Sequence, residues 1–330
     1  MAIQWFPGHM HATKKAIVKR LPDIDVVIEL LDARAPGSSA NPLLAELAGS
    51  KPALKVLNKQ DLADPARTAL WLAHYQAQPG TNALALDASA TAPARQLIAA
   101  SRALVPLRGG MVKPVRVLIC GIPNVGKSTL INTLIGQRKA KTGDEPGITK
   151  TEQRIALAND FDLVDTPGML WPRIVVEQAG YNLAATGGIG RNAYDEEEVA
   201  MALLASVRGP YADRLQARYK LADFSAISDD RLLADIARKR GGLLPGGQVN
   251  LQKAAEIVIN DFRSGALGRI TLETPDEYAL WVAAGLQREA ERQERAAART
   301  RKKPPQRGGD ASAASGPVDA GGEEDGPALA

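Results

Sequence analysis

Eight residues, Gly121–Ser128 (G-I-P-N-V-G-K-S), have the types and spacing to hold phosphate. The apolar run Val115–Cys120 leads into them, and residues of helical apolar spacing follow from Thr129. Strand, glycine-bounded loop, Lys-Ser and helix turn backbone N–H groups and the positive end of a helix toward an anion. Lys127 is placed to reach β- and γ-phosphates and Ser128 to hold Mg²⁺, with Asn124, Val125, Gly126 and Thr129 completing the cradle. A second group, Asn58-Lys59-Gln60-Asp61, ends the apolar run Pro52–Leu57. A carboxylate at Asp61 can accept from both N1–H and the exocyclic amino group of guanine, a donor pair that adenine lacks. Asn58 and the stem of Lys59 would frame the base. Ser89-Ala90, after the run Ala83–Leu86, fits a loop whose backbone N–H meets guanine O6. A third group, Asp165-Thr166-Pro167-Gly168, follows Phe161–Val164. Asp165 can hold Mg²⁺ through water, and the Gly168 N–H can meet a γ-phosphate. Thr149, in the polar loop Thr142–Thr151, is placed to close on Mg²⁺ and phosphate as a switch. Thr142 and Thr151 compete for that role; Thr149 is preferred because it follows Pro146-Gly147-Ile148.

The elements that must position these groups alternate. Short Val/Ile/Leu runs at Asp25–Leu31, Pro52–Leu57, Ala83–Leu86, Val115–Cys120 and Phe161–Val164 read as buried strands, with Glu152–Leu157 beside the last. Helical patterns at Asn41–Leu47, Pro65–Tyr75 and Pro93–Leu104 fall between them. This predicts an α/β fold with a mostly parallel sheet and helices on both faces. Strand signals stop near Val175. Glu196–Val207, Tyr211–Tyr219, Asp229–Lys239, Leu251–Arg263 and Pro275–Gly285 read as helices of a small all-α domain. The expected organisation is a basic N-terminal arm over 1–20, a nucleotide domain over 21–174, a helical domain over 175–285 and a charged, mostly disordered tail over 286–330. Lys14, Lys15, Lys19 and Arg20 lie in the arm, where they form either a solvated face or an RNA contact.

The order of the motifs is unusual. In an ordinary GTPase the phosphate loop comes first and N-K-x-D late, whereas here Asn58–Asp61 and Ser89-Ala90 precede Gly121. The chain reads as a circularly permuted P-loop GTPase sheet, tolerable where the original termini lie close together.

Composition narrows the class. The 330 residues are 45% hydrophobic and 24% charged with net charge +4, ordinary for a soluble globular protein. The single Cys120 excludes an internal disulfide and reads as a small core residue. No apolar run reaches the ~20 residues that a membrane span needs. The N-terminus lacks the layout of a secretory signal or an organelle presequence, so a cytoplasmic location is expected. His11 and His74 have no ligand-like companions, and no structural zinc is expected.

Trp5-Phe6-Pro7-Gly8-His9-Met10, Asp32-Ala33-Arg34, the permuted order and Asp165–Trp171-Pro172 together resemble the ribosome-biogenesis GTPase A family (the YlqF/RbgA group). Arg238–Gly247 and Asp261–Gly265 through Gly268-Arg269-Ile270 look like the same family, and the resemblance spans about residues 3–274. It implies a GTPase that acts on the large ribosomal subunit precursor and its rRNA late in assembly. The particle stimulates hydrolysis, water is the nucleophile, and the protein is a monomer off the ribosome. The position that often carries a water-orienting Gln, directly after Gly168, is Met169. The resemblance names His9 as the substitute catalytic residue. It makes Asn124 a ligand for K⁺ beside the phosphates, and gives Asp32 and Arg34 the task of shaping a loop near the nucleotide. A non-enzymatic RNA-binding scaffold and a mitochondrial relative are the competing readings. The complete phosphate, Mg²⁺ and guanine set opposes the first, and the missing presequence opposes the second.

Overall fold

The computed structural model describes residue 3 and residues 9–108, 113–136 and 153–301. The switch candidates Thr142, Thr149 and Thr151, the segment Trp5–Gly8 and the tail from residue 302 lie outside the described residues. Six strands form one sheet in the order β3-β2-β1-β4-β6-β5. They are β1 (Val26–Asp32), β2 (Ala53–Asn58), β3 (Thr81–Leu86), β4 (Val115–Gly121), β5 (Gln153–Ala158) and β6 (Phe161–Asp165). All pairings are parallel except β5 with β6, which run antiparallel across a two-residue turn. The expected strands are therefore present, each within two residues of its expected bounds.

Burial follows from this layout. β1 is buried along its whole length, as a central parallel strand covered on both faces must be. Between the strands lie α2 (Pro36–Ser39), α3 (Pro42–Ala48), α4 (Pro65–Gln76), α5 (Thr91–Leu104) and α6 (Lys127–Ile135). Leu54 and Val56 of β2 share a core with Leu97 of α5, while Leu57 joins Trp71 and Tyr75 of α4 in a second one. The alternation along β2 thus sends successive side chains to helices on opposite faces. Cys120 is buried, and its thiol donates to the Ile28 carbonyl at 3.2 Å. Burial pushes that thiol's pKa far above its ordinary value, consistent with a core residue.

The helical part is α7 (Glu177–Thr186), α8 (Glu196–Val207), α9 (Ala212–Tyr219), α10 (Asp229–Arg240), α11 (Leu251–Arg263) and α12 (Pro275–Arg301). The N-terminal basic segment is α1 (His9–Arg20), with Met10, Thr13 and Ile17 buried on one face and Lys15, Lys19 and Arg20 exposed. Met1–Arg288 forms one compact unit and Glu289–Ala330 a second.

Two sequence expectations change. Glu177–Thr186 carries no helix signal: Gly180 and Asn182 are weak helix formers, and no side chain caps its start. Burial of Ala179, Gly180 and Asn182–Thr186 makes it a helix, as tertiary packing does for marginal segments. The helix expected over Pro275–Gly285 continues as α12 to Arg301, into the charged, Ala-rich stretch that follows Gly285. Gly285 is a packing point against Val175, and the residues after it are strong helix formers with a Glu291–Arg295 pair one turn apart.

A buried carboxylate fastens the segment before α12 to the sheet domain. Glu273 accepts from the Ser38 N–H at 2.6 Å, from the Ser38 hydroxyl, and from Asn182 Nδ2 at 2.8 Å. Burial raises its pKa, against the pull of those donors. Its own carbonyl accepts from Trp71 Nε1 at 2.9 Å. Glu273→Ala would strand several buried donors from α2 and α7. We expect it to lower stability by about 2–4 kcal/mol, read as a lower urea midpoint.

Candidate nucleotide site

The three motif groups converge at the C-terminal ends of β2, β3, β4 and β6, the end at which open α/β sheets place ligands. Gly126 begins α6 with φ 96°, and Lys127, Ser128 and Thr129 form its first turn. Asn124 has φ 57°, so the loop curls through two residues in left-handed conformation. The Lys127 ammonium, 6% exposed, pairs with the Asp165 carboxylate, 2% exposed, at 2.6 Å. Burial raises the Asp165 pKa while Lys127 opposes that shift. Gly168 lies against Pro123, so close that a Cβ there would come within 3.0 Å of that residue's backbone.

Asn58 joins the N-K-Q-D group to the Gly121–Ser128 loop. Its Nδ2 donates to the Val125 carbonyl at 2.7 Å, and its Oδ1 accepts from the Ala88 N–H at 2.9 Å. One buried side chain therefore fixes the N-K-Q-D loop to the phosphate loop and to the loop of Ser89-Ala90. Ser89 turns back on Asp87, donating N–H and hydroxyl to its Oδ1 at 2.8 and 2.6 Å. Thr133 of α6 donates to the Ala88 carbonyl at 2.7 Å. Asp61 is exposed.

Lys59, with φ 63°, sends its ammonium to the Asn124 carbonyl at 2.8 Å and to Asp32 Oδ2 at 3.0 Å. Burial lowers its pKa, and Asp32 only partly offsets this. Asp32 also takes the Arg34 guanidinium in a two-point pair, Nε to Oδ1 at 2.9 Å and Nη2 to Oδ2 at 2.7 Å. Burial alone would raise the Asp32 pKa; Arg34 and Lys59 outweigh it and hold the carboxyl well below the usual range. Asp32 and Arg34 thus tie the loop after β1 together, and Arg34 also reaches beyond it. Arg34 Nη2 donates to the Thr186 carbonyl at 3.3 Å, and the guanidinium lies 5.1 Å from the Phe262 ring centroid.

The helical part touches the site at residues that sequence reasoning did not assign to it. Asn124 Nδ2 donates to the Gly187 carbonyl at 3.0 Å. Arg263 donates to the carbonyls of Ala184 and Ala185 at 2.7 and 2.9 Å. The open carbonyls at the C-terminus of α7 are therefore met by donors from three different segments. Only the family-like strings around Arg263 and Arg269 hinted at this, because the contacts link residues far apart in the chain.

Met169 is buried, its N–H donating to the Gly121 carbonyl at 3.1 Å and its carbonyl accepting from Asn41 Nδ2 at 2.9 Å. The next N–H, of Leu170, donates to Met10 Sδ at 3.4 Å. His9 starts α1 immediately before this contact.

A phosphate loop, a guanine-type N-K-x-D loop and a D-T-P-G strand end on one parallel sheet define a P-loop guanine-nucleotide-binding protein. The family model described as "50S ribosome-binding GTPase" matches residues 116–228. Ribosome biogenesis GTPase A of Priestia megaterium is 42% identical over 287 residues, covering 84% of this chain and 98% of that protein. The Bacillus cereus protein of that name is 41% identical over 287 residues, with 84% and 96% covered. The GDP-bound structure of YlqF from Thermotoga maritima matches with a TM-score of 0.59 at 26% identity, covering 79% of this chain and 99% of that one. The chain belongs to the ribosome biogenesis GTPase A family, and it is an enzyme that hydrolyses GTP.

Asp32→Asn would leave the Arg34 and Lys59 cations beside a neutral amide in a buried site. A cost of about 3–5 kcal/mol at pH 7 is expected. Because the folded-state pKa of Asp32 is depressed, its contribution is present above the ordinary carboxylate pKa and fades as pH falls through and below it. The stability gap between parent and variant should therefore shrink on acidification, as urea titrations at pH 7 and pH 3 would show.

Proposed function

We propose that this chain binds GTP at the β4–α6 loop and hydrolyses it on the precursor of the large ribosomal subunit, late in assembly, with the particle stimulating turnover. The carrying observation is Asn58, whose two hydrogen bonds join the phosphate loop, the N-K-Q-D loop and the Ser89-Ala90 loop into one pocket. In this reading Asp61 selects guanine, Asn58, Lys59, Ser89 and Ala90 frame the base, and Asn124–Thr129 cradle the phosphates. The Lys127–Asp165 pair opens so that the ammonium meets phosphate and the carboxylate is released. The donor set then suits Mg²⁺, with Asp165, Ser128 and Thr149 as its holders. When bound, that ion offsets charge on the phosphate oxygens. The order of strands supports reading the domain as a circular permutation: β4 sits mid-sheet, while the base-reading strands β2 and β3 precede it in the chain. The organisation into an arm over 1–20, a GTPase domain over 21–174, a helical RNA-contacting domain over 175–285 and a tail from 286 belongs to the same proposal. So do a cytoplasmic site of action and a monomeric free state.

The attacking water has no glutamine to orient it, since Met169 is apolar and buried. His9 takes that role: a neutral imidazole can accept from water. The Met10–Leu170 contact supports it, because it fastens the residue after His9 to the segment following Gly168. Adding large-subunit particles should raise turnover by roughly tenfold or more. His9→Ala should abolish that rise while leaving GDP affinity unchanged. A variant with full stimulated turnover would remove His9 from catalysis, and equal rates with and without particles would remove the stimulation.

Asn124 is the residue we assign to K⁺, where a cation beside the phosphates offsets developing charge. Hydrolysis should be several-fold faster in KCl than in NaCl at equal ionic strength, by roughly the tenfold that 1.4 kcal/mol represents. Equal rates would sink the K⁺ assignment alone.

A further inference from the structure

The loop that carries Asp61 is gripped from behind by residues 265–271. Arg269 reaches across with both arms of its guanidinium. Nη2 donates to the Gln60 carbonyl and Nε to the Ala63 carbonyl, each at 2.8 Å, so the fork straddles Asp61 and Leu62. The next residue continues the clasp, the Ile270 N–H donating to the Leu62 carbonyl at 2.9 Å. Thr271 Oγ1 accepts from the Asp64 N–H at 3.1 Å and donates to the Ala33 carbonyl at 3.0 Å. On the other side Gly265, with φ 77°, lies so close to Leu62 that a Cβ would meet its Cδ2 at 2.7 Å. Residues 60 to 64 are thus held by a single return segment more than 200 positions later in the chain.

We infer that Arg269 is a positioning residue for base recognition: it fixes the Gln60–Ala63 turn so that the Asp61 carboxylate faces the amino edge of the base. Two carbonyls on either side of Asp61 fix both the height and the tilt of the turn, which a one-point ammonium cannot do. A carboxylate that accepts two parallel bonds from a base is sensitive to tilt, because hydrogen bonds weaken steeply off-axis. The inference rests on Asp61 as the reader of guanine. It goes further by making the quality of that reading depend on the segment that follows α11.

The measurement is the affinity of the full chain for GDP and for IDP, which differs from GDP only in lacking the exocyclic amino group. Arg269→Ala should weaken GDP by roughly tenfold, the worth of one hydrogen bond to a charged acceptor. IDP should move by less than about twofold, so the GDP/IDP preference falls. Arg269→Lys should recover only part of the preference. Gly265→Ala perturbs the turn through Leu62 without touching Arg269. It should lower the same ratio, and it carries the test if Arg269→Ala does not fold. Equal weakening of GDP and IDP, or an unchanged ratio in both variants, would overturn the inference and leave Arg269 a structural clamp. Asp61→Asn separates the underlying reading. It should turn preference from GDP toward XDP, and in that background Arg269→Ala should leave the GDP/IDP ratio unmoved. No turn toward XDP would mean that Asp61 is not the reader, whatever the Arg269 variants do.

Discussion

A carboxylate with 2% of its side chain exposed cannot stay ionised without close cations, and Asp32 has two. Arg34 and Lys59 come from opposite directions. Lys59 belongs to the N-K-Q-D loop and also holds the Asn124 carbonyl of the loop between β4 and α6. Arg34 turns toward the Thr186 and Arg263 carbonyls and the Phe262 ring of the helical part. Arg34 is buried, and Lys59 partly buried, by the same packing that makes Asp32 need them. The nucleotide pocket and the helical part are therefore two sides of one electrostatic requirement, and the loop after β1 is where they meet.

The helical part repeats that logic with helix ends. An α-helix leaves its last carbonyls open, and a buried end must find donors. α7 finds Arg263 from α11, Arg34 from the loop after β1 and Asn124 from the phosphate loop. Asn124 thus bonds the helical part through its amide nitrogen while its carbonyl holds Lys59. A shift of the phosphate loop cannot leave the C-terminus of α7 unaffected, because the two share a hydrogen bond. This contact runs beside the covalent path from Asp165 through Met169 into α7.

The sheet was legible because its strands are short β-branched and Leu runs that end in chemistry-bearing motifs, so pattern and motif fixed the same boundaries. The placement of the G-I-P-N-V-G-K-S, N-K-Q-D and D-T-P-G groups at strand ends was legible for the same reason. α7 was not, because its helicity comes from burial and Gly180 and Asn182 speak against it locally. The extension of α12 was hidden by Gly285, whose role is to pack on Val175. The distant partners of Arg34, Glu273 and Arg269 could not be read from spacing at all. Arg34.Thr186, Ser38.Glu273 and Arg269.Gln60 pairs are separated by 152, 235 and 209 positions. Charged residues in a sequence announce that they need partners, and only the fold says which.

Chain order explains why these long-range pairs gather around the loops after β1 and β2. Strands β1 and β2 and the loops at their ends precede the helical part in the chain. The return segment after α11 then lays its backbone along them: Ile270 N–H to the Leu62 carbonyl and Leu272 N–H to the Arg34 carbonyl at 2.7 Å. Those bonds close a loop of more than 200 residues, and the loop-closure cost rises only slowly with length, by about 0.6 kcal/mol per doubling. A few well-placed contacts suffice to offset it. In this arrangement the loops after β1 and β2 lie against residues 269–272. Whatever displaces residues 265–273 therefore acts first on the loops after β1 and β2, and reaches the phosphate loop through Lys59 and Asn58.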